Sequence, residues 1–116
     1  MLPRELRMRR SEDFRRTTRS GVRVARPTLV VHAGSAANPE DRRVGFIVGK
    51  SVGNAVVRNR VRRRLRHLAA TELTRTPPGV CLVLRALPRA ATEPAEVPTD
   101  LAKAWPKALA RLAGTR

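Results

Sequence analysis

The spacing of apolar and polar positions changes repeatedly along the chain, and each change marks a predicted element. Ser11 is a good N-cap and Gly21 a good stop. Glu12 and Asp13 fall in the first turn, where the helix dipole favours acids, so 12–20 is predicted helical. Phe14 is its only large apolar residue, so this helix either docks through Phe14 or stays loosely held. β-Branched residues then rise over 22–25 and 28–33, two strands parted by Pro27, and 34–41 is dense in turn formers. In the next strand, 43–48, Val44, Phe46 and Val48 share one face. Gly45, Ile47 and Gly49 share the other, where the two small residues permit close approach by another element.

From Asn54, a cap, to about Thr74 the period is helical. At about 100° per residue Val57, Val61, Leu65 and Leu68 fall in one apolar arc that must face a core. Thr76, Pro77, Pro78 and Gly79 stop this helix, and 80–86, the most apolar run, is predicted to be a buried strand. Residues 88–98 contain three prolines and read as a linker loop. A last helix, 99–113, is capped by Thr99 and gathers Leu101, Trp105, Ala108, Leu109 and Leu112 on one face; Pro106 either kinks it or begins a second short helix. Residues 1–10 are basic and aperiodic and are expected to form a mobile arm. The order α-β-β-β-α-β-α implies a single domain, 1–116, of the α+β class, with a four-stranded sheet covered by helices.

Charge changes the picture most on the helix after Asn54. Arg58, Arg62 and Arg66 form one ridge, Arg60 and Arg63 lie round the other side, and Asn59 stands between them. Like charges four residues apart cost an isolated helix roughly 0.2–0.5 kcal/mol per pair, so burial or a polyanion must offset them. A solvated helix normally mixes signs, yet no acid occurs between Arg43 and Ala70. The whole chain carries +16, from 25 Lys and Arg against 9 Asp and Glu, which points to a polyanionic partner. The excess is arginine, whose planar fork grips phosphate oxygens in pairs and stacks on bases. Lys50, just before the helix, adds a further cation.

Other chemistries find little support. Gly45 to Ser51 (GFIVGKS) looks superficially like a phosphate loop, but three apolar strand residues separate its glycines where four residues are required. No carboxylate pair, histidine pair or metal-ligand spacing suggests a protein-borne nuclease, so no catalytic or metal-ligating residue is assigned. Cys81 is the only cysteine, so no disulfide framework is possible, and it reads as a buried thiol. No apolar run approaches the ~20 residues of a membrane span and no apolar segment follows the basic N-terminus; the chain is read as cytoplasmic. A DNA-binding module is disfavoured because helix-turn-helix spacing and a zinc framework are both missing from the sequence.

The run from Arg43 to Arg66 resembles the signature of the bacterial ribonuclease P protein subunit, Gly-Asn-Ala-Val-x-Arg-Asn-Arg continuing into a basic helix; here it is Gly53 to Arg60. Glu12, Asp13 and Phe14 resemble the family's opening helix, and the likeness spans roughly residues 6 to 86. The resemblance implies an α/β sandwich of ribosomal-protein type with a left-handed strand-helix-strand crossover, which general rules disfavour. It implies an accessory subunit, one per catalytic RNA, in a ribonucleoprotein that removes the 5′ leader of precursor tRNA. Catalysis would rest on RNA, with Mg²⁺ held mainly by that RNA. Carried over by position, Arg58, Asn59, Arg60, Arg62, Arg63 and Arg66, with Lys50, would face the catalytic RNA, and Phe14, Thr18, Val30 and His32 would line a cleft for the leader. Thr18 and His32 stand where the family often has aromatics, which leaves base stacking in the cleft weaker or differently achieved, and Gly49, Lys50 and Ser51 replace a more usual Ser-Lys-Lys, which removes one cation from the turn; the leader contacts are therefore less secure than those of the arginine-rich helix. A ribosomal-type RNA-binding protein with no part in cleavage is the alternative.

Overall fold

The computed structural model describes residues 2–115. Strands β1 (Val22–Ala25) and β2 (Leu29–Ser35) form an antiparallel hairpin; β3 (Arg42–Ile47) and β4 (Val80–Ala86) complete a sheet of order β1-β2-β4-β3. β4 lies inside the sheet, antiparallel to β2 and parallel to β3, which explains its near-continuous apolar run. β2 extends past the expected boundary because Gly34 and Ser35 still pair with Cys81 and Val80.

Between the parallel strands β3 and β4 runs α2 (Ala55–Leu73), which begins where the sequence placed it. The Asn54 side-chain oxygen accepts the Val57 N–H at 3.0 Å. Its buried stripe, Val61, Leu65, Ala69 and Leu73, and that of α4 (Val97–Gly114), Leu101, Ala104, Trp105, Ala108 and Leu112, cover one face of the sheet. That face presents Val24, Leu29, Val31, Val44, Leu82 and Leu84, and together they form the main core. Fully burying each such Leu or Val contributes ~1.5–3 kcal/mol.

The opposite face belongs to α1 (Ser11–Ser20) and to the N-terminal segment. Phe14 packs with Met8, Cys81, Val83 and Ile47, while Thr17 is buried. A Cβ on Gly45 would collide with the Phe14 ring, so the element that exploits this small residue is α1. The sheet thus carries helices on both faces, although Arg23 and Arg85 on the α1 face stay exposed.

Three sequence expectations are corrected. Residues 2–10 are docked rather than an arm; Met1 of that predicted arm lies outside the described residues. Leu2 and Met8 are buried, Arg4–Leu6 forms a 3₁₀ turn, and the Met8 N–H donates to the Val44 carbonyl at 2.9 Å. The reason is the open edge of β3, whose unpaired backbone groups offer this segment a partner. Residues 88–98 are not a loop: they hold a helical turn, α3 (Arg89–Thr92), a 3₁₀ turn, Pro94–Glu96, and the start of α4. Proline suits helix first turns, where its missing N–H has no partner to lose, and Ala90 and Val97 are buried as anchors. Thr99 therefore lies inside α4 and is not its cap, and the helix continues through Pro106, which sits on the solvent side.

Two buried polar nodes tie these layers together. The Trp105 indole N–H donates to Thr76 Oγ1 at 2.8 Å; that hydroxyl donates to the Glu72 carbonyl, and Arg42 donates to the Thr76 carbonyl. At the other node the Thr28 hydroxyl and backbone N–H both donate to Asp100 Oδ2, at 2.6 and 3.1 Å, with Arg26 Nε 3.5 Å from Oδ1. Burial pushes the Asp100 pKa up, but the Thr28 hydrogen bonds and the Arg26 charge outweigh it and hold the carboxyl below its ordinary value.

Candidate nucleic-acid interface

Because α2 spends its apolar stripe on the core, its remaining circumference is left to the arginines. Asn59, Arg60, Arg62, Arg63 and Arg66, with the exposed Val56, line a concavity of ≈ 450 Å³. Both predicted ridges thus meet in one groove with Asn59 between them. Arg58 is half-buried outside it, and Lys50 is exposed in the turn before the helix, lining neither this groove nor the next.

A second concavity, ≈ 290 Å³, adjoins the first and is lined by Arg4, Arg7, Met8, Arg9, Phe14, Phe46, Arg62 and Arg66. Arg62 and Arg66 line both. The sequence reading missed the three N-terminal arginines; their charge was visible, but a segment without periodicity gave no sign that it would dock along β3 beside α2. Burial, then the charges of Arg7 and Arg62, push the Arg66 pKa below the ordinary guanidinium value. Its Nε, like that of Arg58, is enclosed with no hydrogen-bond partner.

The ion pairs among the described residues are Arg16–Asp13, Arg26–Asp100, Arg43–Asp41 and Arg89–Glu96. None involves an α2 arginine. Among the described residues, Arg62 is the one α2 arginine that finds a polar side chain, Asn59, at 3.4 Å. This surface is therefore charged, concave and unsatisfied by its own fold, as a phosphate-binding surface must be before its ligand arrives.

The predicted cleft residues divide. Phe14 and Thr18 are half-buried on α1, and Thr18 turns its hydroxyl back onto the Phe14 carbonyl at 2.9 Å. Val30 and His32 sit on β2, on the sheet face that α1 covers in part, and are only 5% and 7% exposed. Phe14 lies in the concavity with Arg62 and Arg66, so it links the cleft to the arginine surface. Desolvation, then the charges of Arg85 and Arg23, push the His32 pKa below its ordinary value. Among the described residues no three His, Cys, Asp or Glu side chains gather as a metal site.

A family model described as Ribonuclease P matches residues 2–109. The chain belongs to that family. A ribonuclease P protein component from Streptomyces bikiniensis is 46% identical over 125 residues, covering 100% of both chains. One from a Mycobacterium species is 53% identical over 93 residues, covering 79% of each. The fold is also that of the ribonuclease P protein of Staphylococcus aureus, with TM-score 0.79 at 23% identity over 92% of this chain and 96% of that one. The Thermotoga maritima ribonuclease P protein gives 0.71 at 22% identity, over 84% and 92%. No described helix is long and apolar enough to cross a membrane.

Proposed function

We propose that this chain is the cytoplasmic protein component of ribonuclease P, seated one per catalytic RNA, and that it holds that RNA on the arginine face of α2 while the 5′ leader of precursor tRNA passes over the α1 side of the sheet. The observation that carries this reading is the double duty of Arg62 and Arg66, which line two adjoining concavities and have no carboxylate partner among the described ion pairs. Fixed cations at that junction would let phosphates of two RNA strands approach each other, lowering the Mg²⁺ concentration that the complex needs, the ions themselves being held mainly by the RNA. Arg58, Arg60, Arg63 and Lys50 extend the same field. Bond cleavage is assigned to the RNA, and this chain contributes binding and position.

The test is single-turnover cleavage of a precursor tRNA by the cognate RNA at low Mg²⁺, with and without the protein. A large gain at the mature 5′ end, with no cleavage by the protein alone, is expected. Tight RNA binding without any gain would instead favour a purely structural RNA-binding role. If about six phosphates are neutralised, log affinity should fall against log salt with a slope of roughly −4 to −5.

A further inference from the structure

On the face of the sheet that α1 covers only in part lies a cluster that the arginine helix does not account for. His32 on β2 is directly opposite Arg23 on β1. On its other side it faces Val83 of β4, and Arg85, two residues further along, is opposite Val30. Register therefore places all three side chains on one face. Directly opposed residues have Cβ atoms about 5 Å apart and diagonal ones about 7 Å, so two guanidiniums flank one imidazole across neighbouring strands.

This arrangement lacks the partner it needs. Neither Arg23 nor Arg85 takes part in an ion pair or a side-chain hydrogen bond among the described residues, and both are exposed. His32 is more than nine-tenths buried, and among the described residues neither of its ring nitrogens has a hydrogen-bond partner. Leaving both nitrogens of a buried imidazole unsatisfied is costly, and two cations beside it without an anion add repulsion. An anionic oxygen between the guanidiniums would answer both: it would accept from the arginines, and, with a small movement of these exposed side chains, from a ring N–H.

We propose that Arg23, His32 and Arg85 form a phosphate-binding subsite for single-stranded RNA on the α1 face of the sheet, clamping one backbone phosphate of the leader beyond Phe14. The proposal rests on the leader reading of the cleft given above and adds to it the residues that grip the strand. Where the family resemblance leads one to look for aromatic stacking at His32, this chain grips the backbone instead, which gives affinity with little preference for base.

The test uses the reconstituted holoenzyme, with wild-type chain or with the R23A/R85A variant. Affinity is measured for a precursor tRNA bearing its leader and for the same tRNA without it. The double substitution should weaken the leader-bearing substrate about tenfold, a modest figure because both guanidiniums are exposed and screened. It should leave the leaderless tRNA within about twofold and flatten the salt slope by about 0.7, the value for one single-strand phosphate. Arg85→Lys, which keeps the charge but loses the fork, should fall between. Equal weakening of both substrates overturns the proposal, as does a leader advantage that survives the double substitution. If the wild-type holoenzyme shows no leader advantage at all, the leader reading itself fails. A second readout is independent of activity: the chain has two histidines, so the His32 ring can be followed by NMR. A short single-stranded RNA should move that ring signal in the wild type and not in the variant; an unmoved signal at saturation overturns the proposal.

Discussion

The outer face of α2 and the corner where α4 meets the β1–β2 hairpin are both charged, but they are resolved in opposite ways. At the corner, Asp100 is buried, receives two hydrogen bonds from Thr28 and lies within ion-pair distance of Arg26, so the acid is answered within the fold even though Arg26 Nε itself makes no hydrogen bond among the described residues. On α2, the guanidiniums of Arg58 and Arg66 are partly enclosed, their Nε atoms have no hydrogen-bond partner, and neither takes part in an ion pair among the described residues. The difference separates charge used for folding from charge held for a ligand. A helix surface that costs repulsion when the protein is alone is stabilised by the polyanion that relieves it, so binding and stability become linked.

Removing Arg62 and Arg66 together should give the largest effect on that side of the comparison. Losing two charge-assisted phosphate contacts of ~1.5 kcal/mol each implies a fall in RNA affinity of about 100-fold and a shallower salt slope. Free-protein stability should hold or rise, because the substitution relieves the mutual repulsion of Arg7, Arg62 and Arg66. Filter binding across a salt series, beside thermal melts of the free chain, checks both halves. A variant that lost stability and binding in parallel would show that these arginines serve the fold.

At the corner the expectation is reversed. Asp100→Ala strips the acceptor from a buried hydroxyl and a buried N–H, costing ~2–3 kcal/mol of stability, with RNA affinity unchanged well below the melting temperature. The pH dependence follows from the same geometry. Since the folded carboxyl titrates below its unfolded value, its contribution is full above about pH 4 and is lost as pH falls through the folded pKa. The wild type should therefore lose stability on acidification in that window more steeply than Asp100→Ala, as urea melts at pH 6 and pH 3 would reveal.

Next in size is the seam between α1 and the sheet. Gly45→Ala would drive a methyl group into the Phe14 ring, with an overpacking cost of ~1–3 kcal/mol or a shift of α1 away from β3. Because Phe14 also lines the concavity with Arg62 and Arg66, binding of a leader-bearing substrate should suffer more than binding of the catalytic RNA alone. Comparing the two affinities in this variant tells whether α1 position matters to the ligand or only to the fold.

Legibility in the sequence followed the same division. α2 was readable because its apolar arc, its cap and its stop are all local signals, and the arginines inherit their positions from that arc. The strands were readable because β-branched alternation and turn residues bound them. The docking of Leu2 and Met8 was not, since it depends on backbone pairing with the edge of β3, which leaves no trace in side-chain pattern. Nor was the Thr28–Asp100 node, whose partners are 72 residues apart and meet only after the sheet forms. Arg23 and Arg85 carry no local signal that relates them, since they lie 62 positions apart in different strands; only the pairing register sets them on either side of His32. Pro94, Pro98 and Pro106 misled because proline was read as a breaker, whereas here it sits in first turns or on a solvent side where its missing donor costs little.

The smallest effect falls on a residue that stands between the two regions. Asn54 caps α2 through the Val57 N–H, yet it also belongs to the Gly-Asn-Ala-Val stretch at the head of the arginine face and is itself exposed. If capping is its whole role, Asn54→Ala should cost ~1 kcal/mol, or about 4 °C of melting temperature. Asn54→Ser, another good cap, should restore both the melting temperature and whatever RNA affinity was lost with the frayed first turn. Should serine restore the melting temperature while affinity stays low, the amide is a ligand contact, and the boundary between fold and RNA surface moves one turn toward β3.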